Sequence, residues 1–240
     1  MYQFTDEFSH THRFHFRKKY IKNFNWARLS TAAQAIYPVL ACYAKKSGIA
    51  FPSEETISDL AGITAKVVRK GIKDFASFPG FSWRPYTTKR GRRSKKFYFD
   101  LPEHTETGET FPFFQYVLES GSWSELLPTA RALYPVMRSF GFWDIENYME
   151  IEEDEYEASE FDEIYQNRKW DFCEAEKIVM AEYAGIDRTS IDAALKSLKH
   201  CCLVEPLPDR PGWKVFLKSN GMIFNRDFLN KKRVSKKYRS

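Results

Sequence analysis

The chain repeats itself, and that repeat limits the folds open to it more than any other feature does. Residues 26–40 lie over residues 123–137 at a constant offset of 97, with seven of fifteen positions identical: Trp26/Trp123, Leu29/Leu126, Ala33/Ala130, Ala35/Ala132, Tyr37/Tyr134, Pro38/Pro135 and Val39/Val136. A second match sets residues 57–64 over 180–187 at an offset of 123, and it continues through Val68 with Ile191, Ile72 with Leu195 and Phe75 with Leu198. Self-similarity on this scale marks one supersecondary unit used twice. The offsets differ by 26, so the second copy carries an insertion of about that length. The run at residues 144–163, with eleven acids and no base, accounts for most of it.

Between the copies, residues 102–112 have Pro at both ends, Gly108 inside and little apolar content, the composition of a linker. The predicted organisation is a first domain at 1–101, the linker at 102–112, a second domain at 113–225 with an acidic insertion at 144–169, and a basic tail at 226–240. A chain of 240 residues suits two modest domains, and 43% apolar with 17% aromatic residues gives each a core.

In the first copy, apolar spacing predicts a helix over 30–46, capped by Ser30 or Thr31 and kinked at Pro38. Ser53 followed by Glu54 and Glu55 is a helix start, with acids where the helix dipole favours them, and that helix runs to Ala61. Gly62-Ile63-Thr64 then makes a tight turn, and Thr64 caps a third helix from Ala65 to about Ser77. Leu60, Ile63, Val68, Ile72 and Phe75 supply its core, while Lys66, Val67, Arg69, Lys70 and Lys73 form the opposite face. Two short helices joined by a glycine turn, the second with a basic outer face, is the helix-turn-helix arrangement that reads a major groove.

Two predicted strands follow, 81–88 and 97–101, on aromatic and β-branched content. Between them Lys89, Arg90, Arg92, Arg93, Lys95 and Lys96 surround Gly91, so a hairpin would hold six cations at its tip, within reach of phosphates.

The stretch from Phe51 to Phe75, with Pro52-Ser53-Glu54-Glu55, Leu60-Ala61-Gly62-Ile63-Thr64 and Val67-Val68-Arg69-Lys70, resembles the winged-helix modules of phage and plasmid replication proteins and related bacterial regulators. The resemblance covers residues 26–101 and extends to 123–218 through the repeat. Two such modules in one chain are also similar in architecture to iteron-binding plasmid initiators. The resemblance implies an α+β, helix-rich fold of two winged helix-turn-helix domains in tandem, and double-stranded DNA as partner. The match itself implies only DNA binding; the initiator-like architecture would imply replication initiation or maintenance as the leading role, with transcriptional regulation as the alternative. Val67, at a position usually polar in such modules, is apolar here.

In the second copy Arg188, Thr189 and Ser190 open the third helix after Asp187, but Asp192 follows and the turn at 206–212 is short. These three residues are candidates for DNA contact. The rival expectation is that the second domain binds protein or pairs with itself. Charge divides the same way: residues 1–100 hold 19 cations against 7 acids, 101–170 hold 4 against 16, and 171–240 hold 14 against 9. Basic segments on either side of an acidic one suit a polyanion partner more than the net +5 suggests.

Other chemistries fit less well. Cys42, Cys173, Cys201 and Cys202 have no zinc-site spacing and read as reduced, mostly buried thiols; His200 beside Cys201 and Cys202 offers adjacent ligands, which rarely converge on one tetrahedral ion. The insertion's carboxylates could hold a metal for a nuclease only if a scaffold fixed them. His10, His12 and His15 lack the apolar filler of a rolling-circle nuclease. The expectation is binding without catalysis, cofactor or metal. No stretch is apolar enough to span a bilayer, and Met1 to Ser9 has no signal pattern, which predicts a cytoplasmic protein with no membrane partner.

Overall fold

The computed structural model describes residues 13–44, 47–87, 91, 93–101, 109–142 and 170–217. The architecture is mixed α+β, about half helical, with three small antiparallel sheets among those residues. The acidic run, the basic tail, His10, His12 and most of the polar stretch between the copies lie outside them.

The first copy opens with β1 (Arg13–Arg17) and a short helix α1 (Lys19–Lys22), then α2 (Thr31–Ala44), β2 (Ile49–Ala50), α3 (Glu54–Ala61) and α4 (Ala65–Asp74). It closes on β3 (Phe81–Thr87) and β4 (Arg93–Phe99), which pair with β2 in the order β2-β4-β3. The second copy is β5 (Thr110–Phe114), α5 (Tyr116–Glu119), α6 (Ser122–Glu125), α7 (Pro128–Ser139), β6 (Trp170–Cys173), α8 (Lys177–Ala184), α9 (Ile191–His200), β7 (Val204–Pro206) and β8 (Trp213–Phe216), with sheet order β6-β8-β7.

Local signals explain the helix ends. Ser53 accepts the Thr56 amide at 3.0 Å and Thr64 accepts the Val67 amide at 3.5 Å, each satisfying an amide the helix start leaves free. Gly62 ends α3 at φ 62° and Gly185 ends α8 at φ 67°, the left-handed geometry that glycine adopts without a Cβ clash. Pro38 and Pro135 both stay inside their helices.

The copies are related by a local two-fold axis. Strands β1 and β5 pair antiparallel in a register that sets Phe14 against Phe113, His15 against Pro112 and Phe16 against Phe111. At an offset of 97, only His15 faces its own repeat equivalent, so the axis passes there. The flanking phenylalanine pairs stack at 5.3 and 5.0 Å between centroids.

Deeper in, the Trp26 indole donates to the Ala132 carbonyl at 2.8 Å and the Trp123 indole donates to the Ala35 carbonyl at 2.8 Å, the same bond made in both directions. Pro38 leaves the neighbouring Gln34 carbonyl without its helical donor. A Cβ on Gly62 would collide with the Ser124 carbonyl, and one on Gly185 with the Ala27 carbonyl, again equivalent contacts. This is the self-complementary packing of an isologous dimer, made within one chain. Buried apolar residues of both copies form one continuous cluster, from Phe14 to Val215. The stretch 102–112, expected as a linker, therefore ends inside a strand that joins the copies.

The chain on either side of residues 143–169 is drawn together. Phe142 and Phe172 exchange backbone hydrogen bonds of 2.9 and 2.8 Å, and beneath them Arg138 pairs with Asp171 at 3.2 Å, both side chains almost fully buried. No helix among the described residues is long and apolar enough to cross a membrane.

Candidate nucleic-acid interface

Helix α4 divides cleanly. Val68, Gly71 and Ile72 are buried, and a Cβ on Gly71 would lie 2.9 to 3.0 Å from the Ala32 and Ala33 backbone, so glycine lets α4 press directly on α2. Ser30 at the head of α2 hydrogen-bonds Asp74 at the foot of α4 and fixes the crossing. The outer face carries Lys66, Arg69, Lys70 and Lys73, all exposed, while Val67 is half-buried at the edge of that face. Lys66, Lys70 and Lys73 make no ion pair among the described residues.

Arg69 is different. Its guanidinium meets the Glu54 carboxylate at 3.2 Å, and the other oxygen of that carboxylate takes the Lys95 ammonium at 2.6 Å. Glu54 thus ties α4 to β4, and helix and hairpin share one surface. A first-turn acid was legible in the sequence, but its role as a bridge was not. The local signal is the same whether the carboxylate serves only the helix dipole or also reaches a residue far along the chain.

The hairpin runs from Thr87 to its partner Arg93, with Gly91 at φ 74° in open space at the tip. Lys89, Arg90 and Arg92 lie outside the described residues, as does the Arg93 side chain. Strand β4 begins at Arg93, four residues earlier than the sequence predicts, so Lys95 and Lys96 belong to the strand and not to its tip. Alternation then sends them to opposite faces. Lys95 turns toward Glu54 and lies 5.9 Å from the Trp83 ring, while Lys96 lies over Phe51 at 5.4 Å and Tyr98 at 5.2 Å.

In the second copy Arg188, Thr189 and Ser190 form a 3-10 turn leading into α9, with Arg188 and Thr189 exposed. Asp187 accepts both the Thr189 amide at 2.8 Å and its hydroxyl at 2.6 Å, and these bonds hold its carboxyl below the usual carboxylate range. The Thr189 hydroxyl is thus engaged within the turn. Lys196 and Lys199 add exposed cations on α9 beyond those expected from the sequence; Lys196 falls at the equivalent of Lys73, and the offset of 123 is the signal that finds it. The β7–β8 turn is closed by the Leu207 amide on the Gly212 carbonyl at 3.0 Å, and its Arg210 is paired with Glu174 at 3.0 Å. The first copy therefore presents the stronger cationic surface.

Burial sets the thiols: Cys42, Cys173 and Cys201 are buried, and desolvation pushes Cys173 and Cys201 up to about 11. Comparison with known protein families, with curated proteins and with solved structures finds no match for this chain.

Proposed function

We propose that the chain is a sequence-specific double-stranded DNA-binding protein made of two winged-helix modules, and that it serves replication initiation or maintenance of a plasmid or phage. In this reading α3, the Gly62 turn and α4 are the helix-turn-helix, α4 enters the major groove, and the β3–β4 hairpin is the wing. The observation that carries it is Glu54: by holding Arg69 and Lys95 together it joins β4 of the hairpin to the outer face of α4, where Lys66, Lys70 and Lys73 make no ion pair among the described residues. Such a cationic surface suits the phosphates of a duplex, and in this reading α4 supplies side chains for base edges.

Selection of bound duplexes from a random library, followed by titration of the enriched site and of random DNA at several salt concentrations, tests this. Replacing Lys66 or Lys70 with Ala should cost about 1–3 kcal/mol on the enriched site and less on random duplex. Replacing Arg90 and Arg92 should weaken both alike and flatten the salt dependence by about one unit of slope per lost phosphate contact. A chain that retains no duplex at low salt overturns the reading.

A further inference from the structure

The outer face of the first copy's sheet has a composition that duplex binding by α4 and the hairpin tip does not explain. Phe81, Phe97 and Phe99 point into the core, so alternation turns Arg84, Tyr86, Lys96 and Tyr98 outward. Phe51, just after β2, lies alongside. Phe51 is 50% exposed and Tyr86 37% exposed, and their rings lie 5.6 Å apart. Lys96 stands over both Phe51 and Tyr98, and Arg84 lies 5.9 Å from the Tyr98 ring. Neither cation has an ion pair among the described residues.

We propose that this face, Phe51, Arg84, Tyr86, Lys96 and Tyr98, is a stacking platform for an unpaired DNA strand. The proposal rests on the nucleic-acid reading above but uses a different surface. A duplex keeps the faces of its bases covered by their neighbours and offers a protein edges and phosphates. Exposed ring faces gain little from it. An unpaired strand offers both a face for each ring and a phosphate for each cation, the combination found where single strands are held without sequence preference. Residues two apart on a strand are about 7 Å apart, so Arg84 and Tyr86 alternate cation and ring at a spacing an extended strand can follow. That the two cations make no ion pair among the described residues favours a polyanion over a peptide.

The second copy is the internal control. Its sheet has the same strand order, yet Glu174 stands where the first copy has Phe51, and Glu205 where it has Ser82. Glu174 neutralises Arg210, which lies over Phe172, and Phe142 closes over the same ring. The fold does not require the first copy's arrangement: in the second, Arg210 is neutralised by Glu174, and Lys214, over Trp170 at 5.0 Å, is the cation–ring contact without a carboxylate partner among the described residues.

The test uses the full chain and a fluorescent oligothymidylate of about twenty nucleotides, with a duplex of equal length as comparison. The unaltered chain should bind both. Phe51→Ala with Tyr86→Ala should weaken oligothymidylate binding at least tenfold, as expected for lost base stacking, and leave duplex binding within about twofold. Phe51→Tyr with Tyr86→Phe, which keep the rings, should retain it, and Arg84→Gln with Lys96→Gln should flatten its salt dependence. Absence of oligothymidylate binding, indifference to the alanine pair, or equal loss on both ligands would each overturn the platform. A chain that fails on duplex but binds oligothymidylate through Phe51 and Tyr86 would overturn the function proposed above and leave the platform standing.

Discussion

Glu54 on α3 holds Arg69 on α4 at 3.2 Å, and at the equivalent positions of the second copy Lys177 on α8 holds Asp192 on α9 at 2.7 Å, the same bridge with its charges exchanged. The two copies keep the link between their second and third helices and invert the charge it places on the outer one. Exposed pairs of this kind contribute little to stability. Their consequence is the field at the surface of α4 and of α9.

Glu54→Gln should therefore release Arg69 and Lys95 from their internal carboxylate. Duplex affinity should rise at low salt, with a salt dependence steeper by up to about two units of slope, one for each freed cation. The unfolding midpoint should hardly move. Weaker binding in a folded variant would instead mean that Glu54 orients the two cations for the phosphates.

Exchanging the second bridge, Lys177→Glu with Asp192→Arg, should preserve stability because the pair is kept with its signs reversed. If α9 lies along the bound duplex, affinity at low salt should increase by several-fold, since an acid facing phosphate becomes a base. Unchanged affinity would place α9 away from the DNA and favour a protein surface there.

The reciprocal tryptophan bonds bear on how the chain unfolds. Trp26→Phe removes the donor to Ala132, and Trp123→Phe the donor to Ala35, each leaving a buried carbonyl short of a partner at a cost of about 1–3 kcal/mol. Because the bonds are equivalent and the core is continuous, either variant should lower the midpoint of one shared transition by a similar amount. Calorimetry resolving two transitions, only one of them shifted, would show that the copies fold independently.

What the sequence disclosed follows from the range of the signals. Ser53, Gly62 and Thr64 act within four residues, so α3, its turn and α4 were readable with their caps. The repeat is readable by identity and reaches beyond residues 26–40: Phe14 and Phe16 match Phe111 and Phe113 at the same offset of 97. Pro112 made that stretch look like linker, yet a proline is tolerated in a two-stranded sheet, where each strand has a free edge. The start of β4 was hidden because Arg93, Lys95 and Lys96 have weak strand preference. Pairing with Pro85, Tyr86 and Thr87 extends the strand regardless. The contacts across the dyad and the Glu54 bridge join residues far apart in the chain, and nothing local announces them.

Arg131 offers a test built into the repeat. It is buried, and its guanidinium donates to the Trp123 carbonyl and the Ser124 carbonyl, each at 2.9 Å. Its burial lowers its proton affinity to about 10. Gln34, its equivalent, donates to the Trp26 carbonyl at 3.0 Å and the Ala184 carbonyl at 3.1 Å without a charge. Arg131→Gln should therefore be tolerated within about 1 kcal/mol, since it removes a desolvated charge and keeps a donor. Arg131→Ala should cost about 1–3 kcal/mol for the carbonyls it strands. Equal losses from both variants would show that the charge itself is needed.

Deleting 143–169 should leave the flanking chain in place, because Phe142 and Phe172 are joined by backbone bonds and Arg138 pairs with Asp171 beneath them. Asp171→Asn would leave a buried guanidinium unpaired and should cost about 3–5 kcal/mol, so the pair must be kept in any deletion. Joining Phe142 to Trp170 through a short Gly-Ser linker removes all eleven acids of the 144–163 run. If those acids compete with DNA for the cations of the first copy or of the tail at 226–240, the deletion should tighten nonspecific duplex binding at low salt. The gain should vanish as salt screens charges more than about 10 Å apart near 0.1 M. A folded deletion variant that binds no better at low salt would remove the competition and make the segment a surface for another partner.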